Sequence, residues 1–249
     1  MSIMNMRKRL VNNHSRVLIA VVLAVVCACG ISSKIASASN SVPEVDWQSY
    51  YSSVQGENDW YYCYGTPEKY LFLDYGYMNA TGEVGWRAGN DIWYQQITAD
   101  HMHPGLYRWS TLRVWVAKQD GVISLNGDIK KLVDAGDGVE VAIWFKGERV
   151  YSEHIAASDL TPHVINDLKH VSVKKGDVIM LELHAGKNYN SANDYTAFRV
   201  EIVWEEKGTN YDPEEDYTKY LSVVDTEADM IGVIEVQKKP GEFDKSEDK

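Results

Sequence analysis

The sequence predicts an all-β fold, an antiparallel β-sandwich or jelly roll that is followed by an acidic C-terminal tail. Apolar and polar residues alternate in several short segments, which is the pattern of half-buried strands. Glycine, asparagine and aspartate separate these segments, and such residues favour chain reversals. Amphipathic helical patterns are scarce between Val42 and Trp204. Many short strands joined by turns are typical of sandwiches and jelly rolls.

The first 38 residues are predicted to be a signal peptide that takes no part in the fold. Basic residues from Arg7 to Arg16 precede an uncharged apolar run from Val17 to Ile31, and Ala36-Ser37-Ala38 has the pattern of a cleavage site. The apolar run is 15 residues long, whereas about 20 residues are needed to span a bilayer. The sequence therefore predicts export to the cell surface or to the extracellular space.

A second export route is lipidation. The segment Val26-Cys27-Ala28-Cys29-Gly30 resembles the lipobox of bacterial lipoproteins, in which Cys29 would carry the lipid. Cleavage after Ala38 would give a secreted protein, and modification of Cys29 would give an anchored one. The signal-peptide pattern does not decide between them. Contact with a membrane is expected only through this lipid.

Cleavage after Ala38 would leave 211 residues, enough for one domain with a substantial core. It would remove five basic residues and no acidic one, so the net charge would change from −11 to −16. This acidity argues against nucleic acid as a partner, because phosphates require clustered lysine and arginine. Cys63 would then be the only cysteine, which excludes an intrachain disulfide. Its place in an aromatic run predicts a buried, inert thiol.

The clearest predicted strand covers residues 139–146, where every odd position is apolar and the even positions include charged residues. Residues 198–204 alternate in the same way, with the apolar side chains at even positions. Residues 179–184 place Glu182 and His184 opposite an apolar side. Further strands are predicted at Tyr70–Asp74, Arg113–Ala117 and Val122–Leu125.

Turns are predicted wherever glycine or asparagine can supply the positive φ that a reversal needs. The residues 128–135 are compatible with a short helical turn, and the residues 156–167 with a loop or one short turn. The predicted turns are Asp120-Gly121, Asn126-Gly127, Asp137-Gly138, Lys146-Gly147 and Lys175-Gly176-Asp177.

These patterns divide the chain into the signal peptide, an N-terminal linker at 39–54, a β-sandwich module at 55–204 and an acidic extension at 205–249. The extension contains 14 acidic and six basic residues, which amounts to half of the net charge after cleavage. Its residues 217–236 have apolar side chains at mixed spacing, and its residues 238–249 are expected to be disordered. The extension is either a solvated tail or a segment that docks to a protein partner.

Several short motifs, spread over about residues 50–204, occur in an order that resembles a known group of modules. They are Gln55-Gly56, Trp60-Tyr61, His103-Pro104-Gly105, Trp115-Val116-Ala117, Gly121-Val122, Gly127, Gly136-Asp137-Gly138-Val139, Val173, Gly176-Asp177-Val178-Ile179, Asn193-Asp194 and Phe198. This order resembles non-catalytic β-sandwich modules that accompany secreted bacterial polysaccharide-degrading enzymes. Lys118 departs from it, because those modules have proline after Trp-x-Ala. The resemblance implies a carbohydrate-binding or accessory role.

Aromatic side chains are the candidates for a sugar-binding surface. A sugar ring presents apolar C–H faces surrounded by hydroxyl groups, so an aromatic ring beside polar side chains is the expected arrangement. Alternation places Trp144 on the polar side of its strand with Glu140 and Lys146. The competing interpretation is that aromatic rings fill the sandwich core. The predicted ligand-binding residues are Trp86, Trp93, Tyr94, His103, Trp109 and Trp144.

Two groups of acidic and amide residues are candidates for a structural calcium site, the one cofactor that the sequence suggests. Asp134 and Asp137 lie around a glycine-rich turn, and Asn193 and Asp194 lie in a predicted loop. Their oxygen atoms suit Ca²⁺, but the spacing does not fit an EF-hand. Side chains that cap their own loop backbone explain the same residues without a metal.

Three functions fit the sequence. The first is a glycan-binding module without catalysis, whose partner is a polysaccharide or other glycan. The second is a structural or protein-partner module of the cell surface that uses the acidic tail. The third is a small polysaccharide lyase or hydrolase, although the sequence contains no hydrolase, zinc or nucleotide motif and no catalytic residue is assigned. Acid, base and charge-neutralising groups for a lyase would come from Gln95, His101, His103, Tyr107 and Arg108.

Overall fold

The computed structural model of the protein describes residues 50–78, 82–88, 95–105, 108–166 and 168–231. The predicted signal peptide with Cys29, most of the linker, the candidates Trp93 and Tyr94, and the end of the acidic extension lie outside these ranges. In the described part of the chain, no helix combines the length and the apolar character needed to cross a membrane.

Strands dominate the described residues and are labelled here in chain order. They are β1 (Trp60–Gly65), β2 (Tyr70–Phe72), β3 (Asp74–Met78), β4 (Val84–Arg87), β5 (Gln96–Ile97), β6 (Met102–His103), β7 (Ser110–Val116), β8 (Gly121–Lys131), β9 (Val139–Phe145), β10 (Glu148–Ile155), β11 (His163–Ile165), β12 (Val171–Val173), β13 (Val178–His184) and β14 (Thr196–Lys207). The helical elements are short, and comprise 3₁₀ turns at Glu57–Asp59 and Tyr217–Tyr220 and the helix α1 at Glu227–Ile231.

The strands form two sheets whose inner faces share one hydrophobic core. The first sheet has the order β10-β9-β13-β7-β1-β2. The second has the order β11-β8-β14-β6-β5-β4-β3, and β12 also pairs with β8. Every pairing between these strands is antiparallel. The predicted all-β sandwich is therefore confirmed, and the three alternating segments appear as β9, β13 and β14.

Strands β1 and β7 are neighbours in the first sheet and are buried on both faces. Trp60, Tyr62 and Trp115 point into the core between the sheets, whereas Cys63 and Val114 belong to a second apolar cluster on the outer face. Burial raises the pKa of the Cys63 thiol, as expected for an inert cysteine. We call this second group the outer cluster, and its buried members are Tyr61, Cys63, Tyr70, Leu112, Val114, Val116, Met180 and Tyr217.

Residues 217–223 lie over the outer cluster, and Val224 and Met230 further along pack on the core between the sheets. Tyr217 is 5% exposed, and its hydroxyl donates to the Lys118 carbonyl at 3.0 Å. Val223 forms a parallel bridge with Tyr70 at the edge of the sheet. An antiparallel sheet can leave one face to water only where that face is polar, so the apolar outer cluster requires this cover.

The folded domain consequently extends beyond the predicted boundary at residue 204. Strand β14 continues to Lys207, and the extension up to residue 231 packs on its own domain instead of forming a solvated tail. Met230, near the end of this segment, is fully buried in the core. A protein partner that docks through the acidic extension stays a prediction, and residues 232–249 lie outside the described ranges.

The predicted turn at Asn126-Gly127 and the predicted helical turn at 128–135 are wrong, because β8 runs without interruption from Gly121 to Lys131. Gly127 has a φ of +150° and lies so close to β14 that a Cβ atom there would clash with the Arg199 carbonyl oxygen. The glycine therefore serves the close approach of two strands and not a reversal.

Ending the chain after Asn210 is expected to destabilise the domain, because it uncovers the outer cluster. Exposing a buried aliphatic or aromatic side chain costs about 1.5–3 kcal/mol, so a loss of at least about 3 kcal/mol is expected. Denaturant unfolding and binding of a hydrophobic dye would measure this loss. A chain that ends after Ile231 is the matched control and keeps the covering segment. Equal stability of the two shortened chains would contradict the covering role.

Candidate functional site

A groove of about 900 Å³ lies on the outer face of the first sheet. Strands β9, β13 and β7 line its floor, β10 lines one side, and the turn after β1 and the loop after β13 line other parts. Glu140 and Trp144 on β9 share this face with Glu182 and His184 on β13, because Ala142 lies opposite Glu182 in the register of the two strands. The polar side of both alternating strands thus forms the groove.

Trp144 belongs to a hydrogen-bonded group on the groove floor. Its indole Nε1–H donates to Oε2 of Glu182 at 2.6 Å, and the Ser110 hydroxyl donates to Oε1 of the same carboxylate at 2.6 Å. Glu182 is only 9% exposed, so these donors compensate the burial of its polar group. The Arg149 guanidinium lies over the indole, 4.7 Å from the ring centre. The orientation of the ring is therefore restrained on two sides.

His184 lies on the same face of β13, and the loop that follows the strand selects its tautomer. The Gly186 N–H donates to Nδ1 at 3.1 Å, so the neutral ring carries its proton on Nε2. Burial lowers the pKa of His184, although Glu182 and Glu140 oppose this effect. Its ring packs edge-on against Tyr189 with 5.6 Å between ring centres. At neutral pH His184 is therefore an uncharged hydrogen-bond donor.

Three cationic side chains also line the groove, namely Arg108, Arg149 and Lys187. Arg108 lies over the ring of Trp109, 4.9 Å from its centre. Lys187 is exposed in the loop after β13. Among the described residues, none of the three cations has a carboxylate oxygen within 4 Å. The groove thus combines an aromatic ring with charged groups that retain hydrogen-bonding capacity.

The predicted ligand-binding residue Trp86 lies in the core and not in the groove. Its side chain is 4% exposed and stacks on Tyr62 with 4.8 Å between ring centres. The indole Nε1–H donates to the Ser52 carbonyl at 2.8 Å. Strand β4 belongs to the second sheet, whose inner face packs on β1, and this position buries the ring. Trp86 therefore fills the sandwich and presents no face to a ligand.

His103 and Trp109 are buried as well. The His103 ring packs edge-on against Tyr195 with 4.5 Å between centres, and the residue is 2% exposed. Trp109 is 8% exposed and lies beneath Arg108. Trp144 is the one predicted ligand-binding residue in the described part of the chain that lines the groove.

The residues considered for lyase chemistry are not gathered in the groove. Arg108 lines it, but Gln95, His101 and His103 are buried. His101 lies 2.9 Å from the amide nitrogen of Gln96, and burial lowers its pKa. Tyr107 lies outside the described residues.

Sequence reasoning missed several groove residues. Alternation along β13 did place Glu182 and His184 on the polar side, which is the signal that they share a face with Trp144. Arg149 and Tyr189 gave no such signal, because their positions depend on the β9–β10 hairpin and on the loop after β13. Cross-strand register brings these groups together, and alternation within one strand does not supply it.

Two of the predicted calcium ligands, Asn193 and Asp194, surround a lysine side chain. The Lys131 ammonium is fully buried and donates to the backbone carbonyls of Val133, Ala135 and Asn193 at 3.0, 2.8 and 2.7 Å. Oδ1 of Asp194 lies 3.5 Å from the same nitrogen. Oδ1 of Asp194 is thus the one predicted ligand oxygen near this ammonium group, whose other partners are backbone carbonyls.

The other two calcium candidates lie beside this site. Asp134 is exposed, and Asp137 accepts a hydrogen bond from the Asn188 side chain at 3.0 Å. In the described ranges, no three His, Cys, Asp or Glu side chains are placed to share a metal ion. Together the contacts of Lys131 and Asp137 connect the loop before β9 with the loop after β13, which carries Tyr189.

Comparison of the sequence with known proteins identified no relative. No protein family model matches the sequence, and no curated protein is significantly similar to it. The functional argument therefore depends on the residues of the groove and on the short motifs in the sequence.

Replacing Lys131 by methionine is expected to destabilise the fold by about 3–5 kcal/mol, because it leaves three buried carbonyls without their donor. Urea unfolding at neutral pH would measure the loss. Lys130→Met is the matched control on the neighbouring, partly exposed position, with an expected change of about 0.5 kcal/mol or less. Similar stability of the two variants would refute the structural role of the ammonium.

The effect of Asp194→Asn is expected to depend on pH. Burial raises the pKa of the Asp194 carboxyl to about 7, despite the opposing effect of Lys131. Between about pH 4 and pH 7 the folded state keeps a proton that the unfolded state loses, so this carboxyl makes the wild type less stable as the pH rises. Relative to the wild type, the unfolding free energy of Asp194→Asn should increase over this interval by a few kcal/mol at most. A pH-independent difference in urea unfolding would contradict this assignment.

Proposed function

We propose that the protein is a glycan-binding module without catalytic activity, acting outside the cell or at its surface, and that the groove on the first sheet is its binding site. The observation that carries this proposal is the placement of the Trp144 ring among polar side chains in a groove of about 900 Å³. Binding sites for small ligands have volumes of about 300–1,000 Å³, so the groove offers room for several sugar units.

The chemistry of the lining supports a sugar ligand. The part of the Trp144 ring that Arg149 and the outer cluster leave uncovered supplies apolar area for the C–H face of a pyranose ring, and Tyr189 lies at the loop end of the groove. Glu140, Glu182 and His184 supply hydrogen-bonding groups on the same face. Sugar hydroxyl groups both donate and accept, so a mixed lining of this kind satisfies them.

The rigidity of the site also supports binding. Glu182 and Arg149 hold the indole of Trp144 before any ligand arrives. A preorganised ring loses little rotational freedom on binding, which lowers the entropic cost of association. The resemblance of the turn motifs to accessory modules of polysaccharide-degrading enzymes favours the same function. Affinities in the micromolar to millimolar range are expected.

Trp144→Ala is expected to weaken glycan binding at least about tenfold, because loss of an aromatic contact costs on the order of 1.4 kcal/mol or more. Residues 39–249 would be screened against polysaccharides and a glycan array, and hits measured by titration calorimetry. Tyr211→Ala is the matched control, because Tyr211 is an exposed aromatic residue that does not line the groove. Absence of binding to any glycan by the wild type would refute the proposed function.

A further inference from the structure

We infer that the groove binds an acidic glycan, with a uronate carboxylate bound by the Arg149 guanidinium. This assignment rests on the proposed glycan-binding function and adds the chemical class of the sugar. The main acceptors on the groove floor have hydrogen-bond donors within the protein, whereas the cations of the groove have no carboxylate partner among the described residues. This difference indicates which chemical group a ligand would supply.

The main acceptors on the groove floor already have donors within the protein. Glu182 accepts from the Trp144 indole and from the Ser110 hydroxyl, each at 2.6 Å. Oε1 of Glu140 lies 3.1 Å from Nδ1 of His154. Glu182 is therefore largely satisfied within the protein, whereas Glu140 keeps acceptor capacity for the hydroxyl groups of a sugar.

The cationic donors of the groove, by contrast, form no ion pair with a described residue. Arg108, Arg149 and Lys187 have no carboxylate within 4 Å in the described part of the chain. The two guanidinium groups lie over the rings of Trp109 and Trp144. A guanidinium over an aromatic ring keeps its N–H groups at its edge, where they remain able to bind a planar anion.

A carboxylate is the sugar substituent that matches these donors. It accepts hydrogen bonds without donating any, and its two oxygens fit the fork of a guanidinium. Hydrogen bonds between ionised partners are also roughly twice as strong as those between neutral ones. A hydroxyl group brings a donor with each acceptor and leaves the cations uncompensated. The uronate is therefore positioned with its ring near Trp144 and its carboxylate near Arg149.

The groove lining contains these three cations beside the carboxylates of Glu68, Glu140, Glu153 and Glu182, and the whole chain has 36 acidic and 25 basic residues. Basic side chains outside the groove are often paired with carboxylates. Examples are Lys118 with Asp59, Lys174 with Asp120, and Arg199 with Asp128. Glu68, an exposed residue at the groove, adds a negative charge that opposes general attraction to polyanions. Recognition of an acidic sugar would thus depend on individual side chains and not on net charge.

The test compares uronate polymers with the same polymers after chemical reduction of their carboxyl groups to alcohols. Polygalacturonate, alginate and hyaluronan, each in both forms, would be titrated against the wild type, together with neutral and sulfated neutral polysaccharides. We expect at least one uronate polymer to bind about tenfold or more tighter than its reduced form, as is typical of a lost charge-assisted hydrogen bond. The preference should decrease as salt concentration rises.

Two substitutions connect the result to the groove. Arg149→Gln should weaken binding of the uronate polymer about tenfold to a hundredfold. Binding of the reduced polymer should weaken much less, because it loses only the restraint that Arg149 places on the Trp144 ring. Lys207→Gln removes an exposed cation at the end of β14 in the second sheet and should leave both affinities unchanged. Circular dichroism would verify that each variant is folded.

The outcomes separate the two claims. Equal binding of native and reduced polymers, a preference for the sulfated neutral polymer, or uronate binding that Arg149→Gln leaves intact would overturn the acidic-sugar assignment while the glycan-binding function stands. Absence of binding to every polymer, acidic or neutral, would overturn both. A uronate preference that Arg149→Gln abolishes and Lys207→Gln preserves would support the assignment.

Discussion

Burial of the outer faces of β1 and β7 is the constraint on which the rest of the domain depends. An antiparallel sheet can leave one face to water, but here that face carries apolar side chains such as Cys63 and Val114. Residues 217–223 exclude water from them, so part of the acidic extension is a structural element of the sandwich. The polar outer faces of β9 and β13 are left open, and they form the groove. One requirement for burial thus determines both the role of the extension and the position of the candidate site.

Trp144 connects the covered and the open parts of this face. Its ring packs partly against the outer cluster and also lines the groove, while Glu182 binds its indole nitrogen. A buried carboxylate needs donors, and a partly exposed indole needs a fixed orientation to bind a ligand. The hydrogen bond between Trp144 and Glu182 satisfies both conditions. The same bond leaves Arg149, on the other side of the ring, as the group best placed to meet a ligand.

A buried cation supports the far end of the groove. The Lys131 ammonium binds carbonyl oxygens in the loop before β9 and the Asn193 carbonyl in the loop after β13. Asp137 and Asn188 connect the same two loops at 3.0 Å. These contacts hold the loop that presents Tyr189 and Lys187 to the groove. A buried ammonium with three carbonyl partners and a carboxylate nearby performs the cross-linking that a bound metal ion performs in other loops.

The fold class followed from the sequence, because burial of one face repeats at every second residue, and residues 139–146, 179–184 and 198–204 show that repeat without outside information. Alternation also placed Trp144 on an outer face. Alternation could not show that Trp86 fills the core, because a tryptophan beside polar neighbours gives the same sequence pattern whether its ring is buried or exposed. Nor could it show that Gly127 serves close strand packing. The sequence by itself determined the fold class, the three alternating strands and the polar side of each. The tertiary structure decided which polar side remains open, because this depends on cross-strand register and on where residues 217–223 lie.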